Sequence, residues 1–292
     1  MANAAANAPL TTLRIAIGDY AHTAPLKAGQ ITSPSLKLDF VEAKPMHTAF
    51  KPMVRQHAYD ASEMALVTYL QAKVHNKGLK LLPAAMLARF QHGTMLYNAE
   101  RGKLDPKGLA GKRIGVRAYS QTTGVWIRGI LQNDYGADLS GVQWVTFEDG
   151  HVAEAKDPAG VIRASGDITQ MLLAGELDAA IYGAAMPKEP QLQSVIPDPA
   201  AAAKAWYAKH GLVPVNHMMV VTDELASANP GAVVELYRML EASKKAAGLP
   251  LAGVIDTAPF GKAATMPSLE LLSGYAAQQG LIPRQLDVSE LW

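Results

Sequence analysis

Cysteine is absent from this chain of 292 residues. That excludes a thiolate nucleophile, a cysteine-ligated zinc site and any disulfide at once. A surplus of either charge is missing too: 27 lysines and arginines face 26 acidic residues, leaving a net charge of +1. Without a basic excess there is no electrostatic footprint for a nucleic acid backbone, so no nucleic acid partner is expected. A small acidic ligand stays compatible, because a few local arginines vanish in a net balance. Long hydrophobic runs are also lacking. None approaches the roughly 18 apolar residues of a membrane-spanning helix, so no membrane partner is expected either.

The opening stretch "MANAAANAPLTTLRIAIGDY" lacks a Lys/Arg-rich start followed by an apolar segment. The chain as written therefore reads as cytoplasmic, unless a signal peptide precedes it. A Walker loop is missing, since Gly111 and Lys112 are followed by Arg113; G-x-G-x-x-G and G-x-S-x-G are missing as well. His151 and Glu154 lie three apart, and His47 lies ten residues before His57. Neither spacing is a metal signature, so no metal and no cofactor are expected.

What is present has an ordinary globular balance, 49% hydrophobic and 18% charged, in a length that suits one large or two medium domains. "LRIAIGDY" (13–20) and "LKLDFVEA" (36–43) read as strands. "MHTAFKPMVRQ" (46–56) reads as a helix interrupted near Pro52, and "ASEMALVTYLQAKVH" (61–75) as a helix capped by Asp60 or Ser62. A second cycle begins with the strand "GKRIGVRA" (111–118), the helix "TGVWIRGILQNDYG" (123–136) and the strand "VQWVTFED" (142–149). The alternation predicts an α/β fold with parallel sheets and helices on both faces. With no Gly/Ser linker between the cycles, two lobes joined by crossing strands are expected: one from both chain ends, the other from the middle.

Several polar clusters interrupt the apolar pattern. "RAYSQTTG" (117–124) joins Arg117 to Ser120, Gln121, Thr122 and Thr123 just before a helix. Unpaired N–H groups, a positive dipole end and an arginine suit a carboxylate. The same residues also suit an empty cap with Arg117 on a surface acid. "ARFQHG" (88–93) places Arg89, Gln91 and His92 between two apolar runs, as cleft residues or as a capped hinge. Glu63 stands at a strand-to-helix corner, as ligand group or first-turn dipole residue. Glu148, Asp149 and His151 end a strand in "FEDGHVAE", as acid–base group or solvated loop, and His217 in "PVNHMMVV" is a catalyst or a core histidine.

Taken together, "KPMVRQHAYDASEMALVTYL", "ARFQHGTMLYN", "GKRIGVRAYSQTTGVWIRGIL", "VTFEDGHVAE", "GELDAAI" and "VNHMMVV" resemble the 4,5-dihydroxyphthalate decarboxylase family. That family is related to periplasmic solute-binding proteins of the thiamine-precursor and nitrate-uptake type. The resemblance runs from about Leu13 to the last helices. Its specific blocks are "RFQHG" and "SQTTG", whereas "LDAAI" is common to solute-binding folds. It implies a type II periplasmic-binding-protein-like architecture, two α/β lobes joined by crossing hinge strands. Residues 1–93 and 219–292 would form one lobe and 94–218 the other, with a ligand cleft between them.

The resemblance also implies non-oxidative loss of CO2 from a hydroxylated aromatic acid, 4,5-dihydroxyphthalate above all, to give protocatechuate. On that reading Arg117, Ser120, Gln121, Thr122 and Thr123 clamp one carboxylate and Arg89 holds a second. His92 is the first choice as general acid, Glu63 or Glu148 takes or relays the phenolic proton, and His217 stands in reserve. The partner is then a small aromatic carboxylate, and a homo-oligomer is compatible with the same features. The competing class is a solute-binding protein that hands an aromatic acid or similar anion to a transporter.

Overall fold

A computed structural model describes residues 10–292. The start of the chain read above for a targeting signal, residues 1–9, lies outside the described residues. Strands run in the order β1 (Thr11–Ala16), β2 (Leu36–Phe40), β3 (Ala61–Ala65), β4 (Leu79–Ala88), β5 (Met95–Asn98) and β6 (Arg113–Val116). They continue with β7 (Gln143–Thr146), β8 (Ile162–Arg163), β9 (Ala179–Ile181), β10 (Leu192–Ser194) and β11 (Val215–Thr222). The helices are α1 (Ala24–Lys27), α2 (Phe50–Gln56), α3 (Leu66–Val74), α4 (Thr122–Asp134), α5 (Ile168–Ala174), α6 (Pro199–His210), α7 (Asp223–Ala228), α8 (Pro230–Ala246) and α9 (Lys262–Gln278). No helix among the described residues is long and apolar enough to cross a membrane.

The chain divides into two compact units. The first runs through Ala88 and takes in His217–Met266 and Val288–Trp292; the second is Arg89–Asn216 with Pro267–Asp287. The first holds a five-stranded sheet in the order β2-β1-β3-β11-β4. β1 lies parallel to β2 and β3, while β11 runs antiparallel to β3. Leu13, Ile15, Ala61, Met219 and Val221 from this sheet pack against Leu236 and Leu240 of α8.

The second unit holds a six-stranded sheet in the order β10-β5-β9-β6-β7-β8. β6, β7, β8 and β9 are mutually parallel where they pair, and β5 runs antiparallel to β9 and β10. Val145, Leu172, Leu177 and Ala180 form a buried cluster here. Both sheets are therefore mixed, where the alternation of elements predicted parallel ones. β11 is reached only after the whole of 89–216, so no helical crossover dictates its direction.

Two local readings also change. Residues 61–65, expected as the first turn of a helix, form β3, and all five are buried. Ala, Glu and Met favour helices, but pairing on both sides between β1 and β11 overrides that weak preference. The helix starts at Leu66, with Ala65 extended at φ −63° and ψ 131°. Pro52 does not interrupt its helix. Residues Met46–Ala49 form a 3-10 turn and α2 begins at Phe50, so Pro52 falls in the first turn, where its missing N–H costs nothing.

Candidate active site

In the first unit, the turn from β1 and the pairing of β3 with β11 converge on Glu63. Register sets Met219 opposite Glu63 and His217 opposite Ala65. Because side chains alternate across a strand, Glu63 and His217 share one face as a diagonal cross-strand pair within reach of each other. His217 Nδ1 lies 2.6 Å from Glu63 Oε1. The same oxygen accepts from the Tyr20 hydroxyl at 2.6 Å, and Oε2 accepts from the Gly18 N–H at 2.9 Å.

Glu63 is fully buried, and these three donors satisfy a group that would otherwise be costly to bury. Burial first, then the charge of Glu63, pushes the Tyr20 phenol well above its ordinary range, so Tyr20 remains a donor. A Cβ at Gly18 would sit 2.6 Å from the Tyr20 ring. Only glycine there lets the ring lie over the backbone and reach the carboxylate. Phe50 meets the His217 ring edge-on, at 5.1 Å and 83°. A carboxylate acceptor keeps the proton on Nδ1 and leaves Nε2 as the nitrogen that exchanges protons.

In the second unit a polar group gathers at the N-terminus of α4. Arg89 Nη2 donates to Thr123 Oγ1 at 3.0 Å, and Asn216 Nδ2 donates to the same oxygen at 3.1 Å. Gln91 Nε2 donates to Asn216 Oδ1 at 2.7 Å and to the Arg89 carbonyl at 2.9 Å. Arg89 Nε and the side-chain oxygens of Gln91 and Gln121 are buried without a hydrogen-bond partner. Burial lowers the Arg89 pKa from its ordinary value, yet the guanidinium keeps its charge at neutral pH. Gln121 is the N-cap of α4, and its side chain makes no capping bond. Partly desolvated donors at a helix N-terminus suit an anion such as a carboxylate.

The chain is 31% identical over 250 residues to a 4,5-dihydroxyphthalate decarboxylase of Comamonas testosteroni, a match covering 80% of this chain and 75% of that protein. It is 31% identical over 210 residues to a 4,5-dihydroxyphthalate decarboxylase of Pseudomonas putida, covering 67% of this chain and 81% of the other. The chain belongs to the 4,5-dihydroxyphthalate decarboxylase family. No family model matches it. Its fold is that of periplasmic binding proteins. The alkanesulfonate-binding protein SsuA of Xanthomonas axonopodis pv. citri superposes with a TM-score of 0.60 at 14% identity, over 98% of this chain and 99% of that one. The aliphatic sulphonate binding protein SsuA of Escherichia coli gives 0.57 at 12%, over 97% of each.

In this decarboxylase-family chain the residues singled out in the sequence fall into separate groups. Glu63 and His217 come together, as do Arg89 and Thr123. Arg117 and Glu148 pair with each other: Nη1 meets Oε2 at 2.7 Å, with both side chains partly exposed. Asp149 likewise takes Arg163, at 2.7 Å. Ser120 and Thr122 are buried beside Thr123. His92 makes no hydrogen bond to another acid–base candidate. It is 1% exposed, neither ring nitrogen has a hydrogen-bond partner, and it meets Trp206 edge-on at 6.0 Å. Burial lowers its pKa to about 4, which keeps the imidazole neutral near pH 7.

Tyr20, Gly18, Asn216 and Arg128 carry weight that the sequence reading did not assign to them. "GDY" directly after the first strand was the available signal for Gly18 and Tyr20. Arg128 of α4 is 1% exposed, with its guanidinium 4.0 Å from the Tyr119 ring centroid and 5.0 Å from that of Trp144. It donates to the Tyr119 carbonyl at 2.6 Å and to Gln279 Oε1 at 2.7 Å. The decarboxylase-family block "RAYSQTTG" is thereby tied back to the helix it precedes. Among the described residues no group of three or more His, Asp or Glu side chains is placed to hold a metal ion.

Proposed function

We propose that this protein decarboxylates a hydroxylated aromatic acid without a redox step, with 4,5-dihydroxyphthalate as substrate and protocatechuate as product. In that diacid each carboxylate lies para to one hydroxyl. Removal of the phenolic proton pushes electron density onto the ring carbon that bears the carboxylate. A proton added there gives a dearomatised intermediate. The bond to the carboxylate carbon then breaks, its electron pair restores the aromatic ring, and neutral CO2 leaves. The net reaction consumes one proton and needs no electron acceptor.

The Glu63–His217 pair, in a chain of this family, carries the reading. Glu63 orients His217 through Nδ1, and Nε2 delivers or collects the proton, a role worth about 10²–10⁴-fold in rate. Tyr20 and the Gly18 N–H hold Glu63 in place. Arg89, with Thr123 and the first turn of α4, supports recognition of the carboxylate that stays. Arg117 already has Glu148 as counter-ion, so Arg89 is the stronger of the two anion holders, and the buried, neutral His92 is the weaker proton donor beside His217.

The decisive experiment incubates the purified protein with 4,5-dihydroxyphthalate and follows CO2 release and binding separately. Release that falls in His217→Ala while binding persists supports the proposal. Binding with no release in the unaltered protein would replace turnover with capture of the acid.

A further inference from the structure

In the second unit, Arg89, Gln91, Asn216 and Thr123 close a ring of hydrogen bonds whose directions follow from one fixed point. The backbone carbonyl of Arg89 can only accept, and Gln91 Nε2 donates to it at 2.9 Å. The same nitrogen donates to Asn216 Oδ1 at 2.7 Å, which uses both of its protons. Turning the Gln91 amide over would set its oxygen against the carbonyl oxygen. Asn216 therefore presents its oxygen to Gln91 and its nitrogen to Thr123, where Nδ2 donates to Oγ1 at 3.1 Å. Gln91, Asn216 and Thr123 are 0%, 2% and 4% exposed, so these bonds are shielded from water.

A guanidinium has only protons to offer, and Arg89 Nη2 gives one to the same Thr123 oxygen at 3.0 Å. With two donors, Oγ1 has both lone pairs engaged, and its own proton is left to give. A threonine in a helix can turn that proton to the carbonyl four residues back. Here that carbonyl belongs to Tyr119 and takes Arg128 Nη2 at 2.6 Å. No acceptor for the Thr123 hydroxyl lies within hydrogen-bond distance among the described residues. Arg89 Nε is buried without a partner as well. Two donors thus remain beside the first-turn N–H groups of α4, which lack acceptors within the helix. Gln91 Oε1 is buried without a donor, the idle end of an amide whose nitrogen sets the direction.

We propose that Gln91 and Asn216 are positioning residues that fix Thr123 as a donor, so that its hydroxyl proton meets an oxygen of an ionised carboxylate. The inference rests on the proposed seat of the retained carboxylate at Arg89 and Thr123, and not on the chemistry at Glu63 and His217. It adds a source of selectivity to that seat: a group that must itself donate finds Thr123 with no lone pair to receive it.

Phthalate, which has the two carboxylates and no ring hydroxyl, tests the relay by binding alone. The full-length protein and its variants are titrated calorimetrically, with thermal melts to confirm folding. Thr123→Val keeps the shape and removes the hydroxyl, so phthalate should bind about tenfold more weakly. Asn216→Asp keeps the bond from Gln91 and replaces Nδ2 by an oxygen that takes the Thr123 proton. Its loss of affinity combines that lost donor with repulsion from an added charge. In the Thr123→Val background only the repulsion is left, so the loss should be about tenfold smaller there. Thr123→Ser keeps a hydroxyl and should bring the full loss back. Gln91→Leu releases Asn216 without adding charge, and should weaken binding about two- to threefold with Thr123 present and not at all in Thr123→Val. Losses that simply multiply in these pairs, or no phthalate binding by the unaltered protein, overturn the relay. Coupling in a protein that releases no CO2 from 4,5-dihydroxyphthalate upholds the relay and rejects the decarboxylase reading alone. CO2 release without coupling does the reverse.

Discussion

His217 Nδ1 and Glu63 Oε1 stand 2.6 Å apart across an antiparallel strand pair, and the carboxylate of that pair is completely buried. The contact follows from register: the two residues are diagonal neighbours on one face of β3 and β11. A third group, the Tyr20 hydroxyl, shares the same carboxylate oxygen, so the orientation of His217 depends on a chain of contacts.

Replacing His217 with alanine is expected to reduce CO2 release by about 10²–10⁴-fold. Glu63→Gln keeps the volume but offers Nδ1 a weaker acceptor, so the activity loss should be accompanied by a displaced pH–rate profile. Steady-state kinetics across pH, with thermal melts to confirm folding, measure both. Unchanged turnover in His217→Ala removes this residue from the mechanism.

Gly18→Ala should disturb the same network without touching a titratable group. The added Cβ would fall 2.6 Å from the Tyr20 ring, and the ring must move off Glu63. Overpacking of this kind costs about 1–3 kcal/mol, readable by urea denaturation. The activity loss should resemble that of Tyr20→Phe, which removes the same hydrogen bond and leaves the ring.

Arg89 and Arg117 should separate in binding assays. Arg89→Ala deletes a partly desolvated donor set and is expected to weaken phthalate binding by about ten- to a hundredfold. Arg117 is held by Glu148 at a partly exposed site, where such pairs contribute at most about 1 kcal/mol to stability. Arg117→Ala should leave both phthalate affinity and melting temperature nearly unchanged. Calorimetric titration of both variants decides between the arginines.

Acid should destabilise the fold in a window that the buried histidines define. His22 and His92 have pKa values lowered to about 4 in the folded protein by burial. The unfolded chain takes up their protons as pH falls through the ordinary histidine value near 6.5, while the folded chain does not until about pH 4. Their contribution is complete above pH 6.5, is lost progressively down to about pH 4, and levels off below. His92→Phe, which keeps a flat ring against Trp206, should flatten this slope in chemical denaturation measured at several pH values. An unaltered slope would mean that His92 titrates alike in both states.

Local pattern alone determined much of this molecule. Gly175 sits in the left-handed conformation at φ 78° as the C-cap of α5, a backbone position that glycine alone adopts freely. The strand "GKRIGVRA" and the helix after "SQTTG" follow from apolar spacing, and the motif blocks were enough to name the family. Tertiary structure decided the rest, because it depends on residues far apart in sequence. β3 reads as helix until β1 and β11 flank it. Glu63 and His217 are 154 positions apart and meet only through strand register, and Tyr20 reaches them only because residue 18 lacks a side chain. Arg117 and Glu148 looked like separate functional groups, and the turn after β7 made them each other's counter-ion. Composition can supply an acid, a base and an arginine, but which ones share a hydrogen bond is settled by pairing and burial.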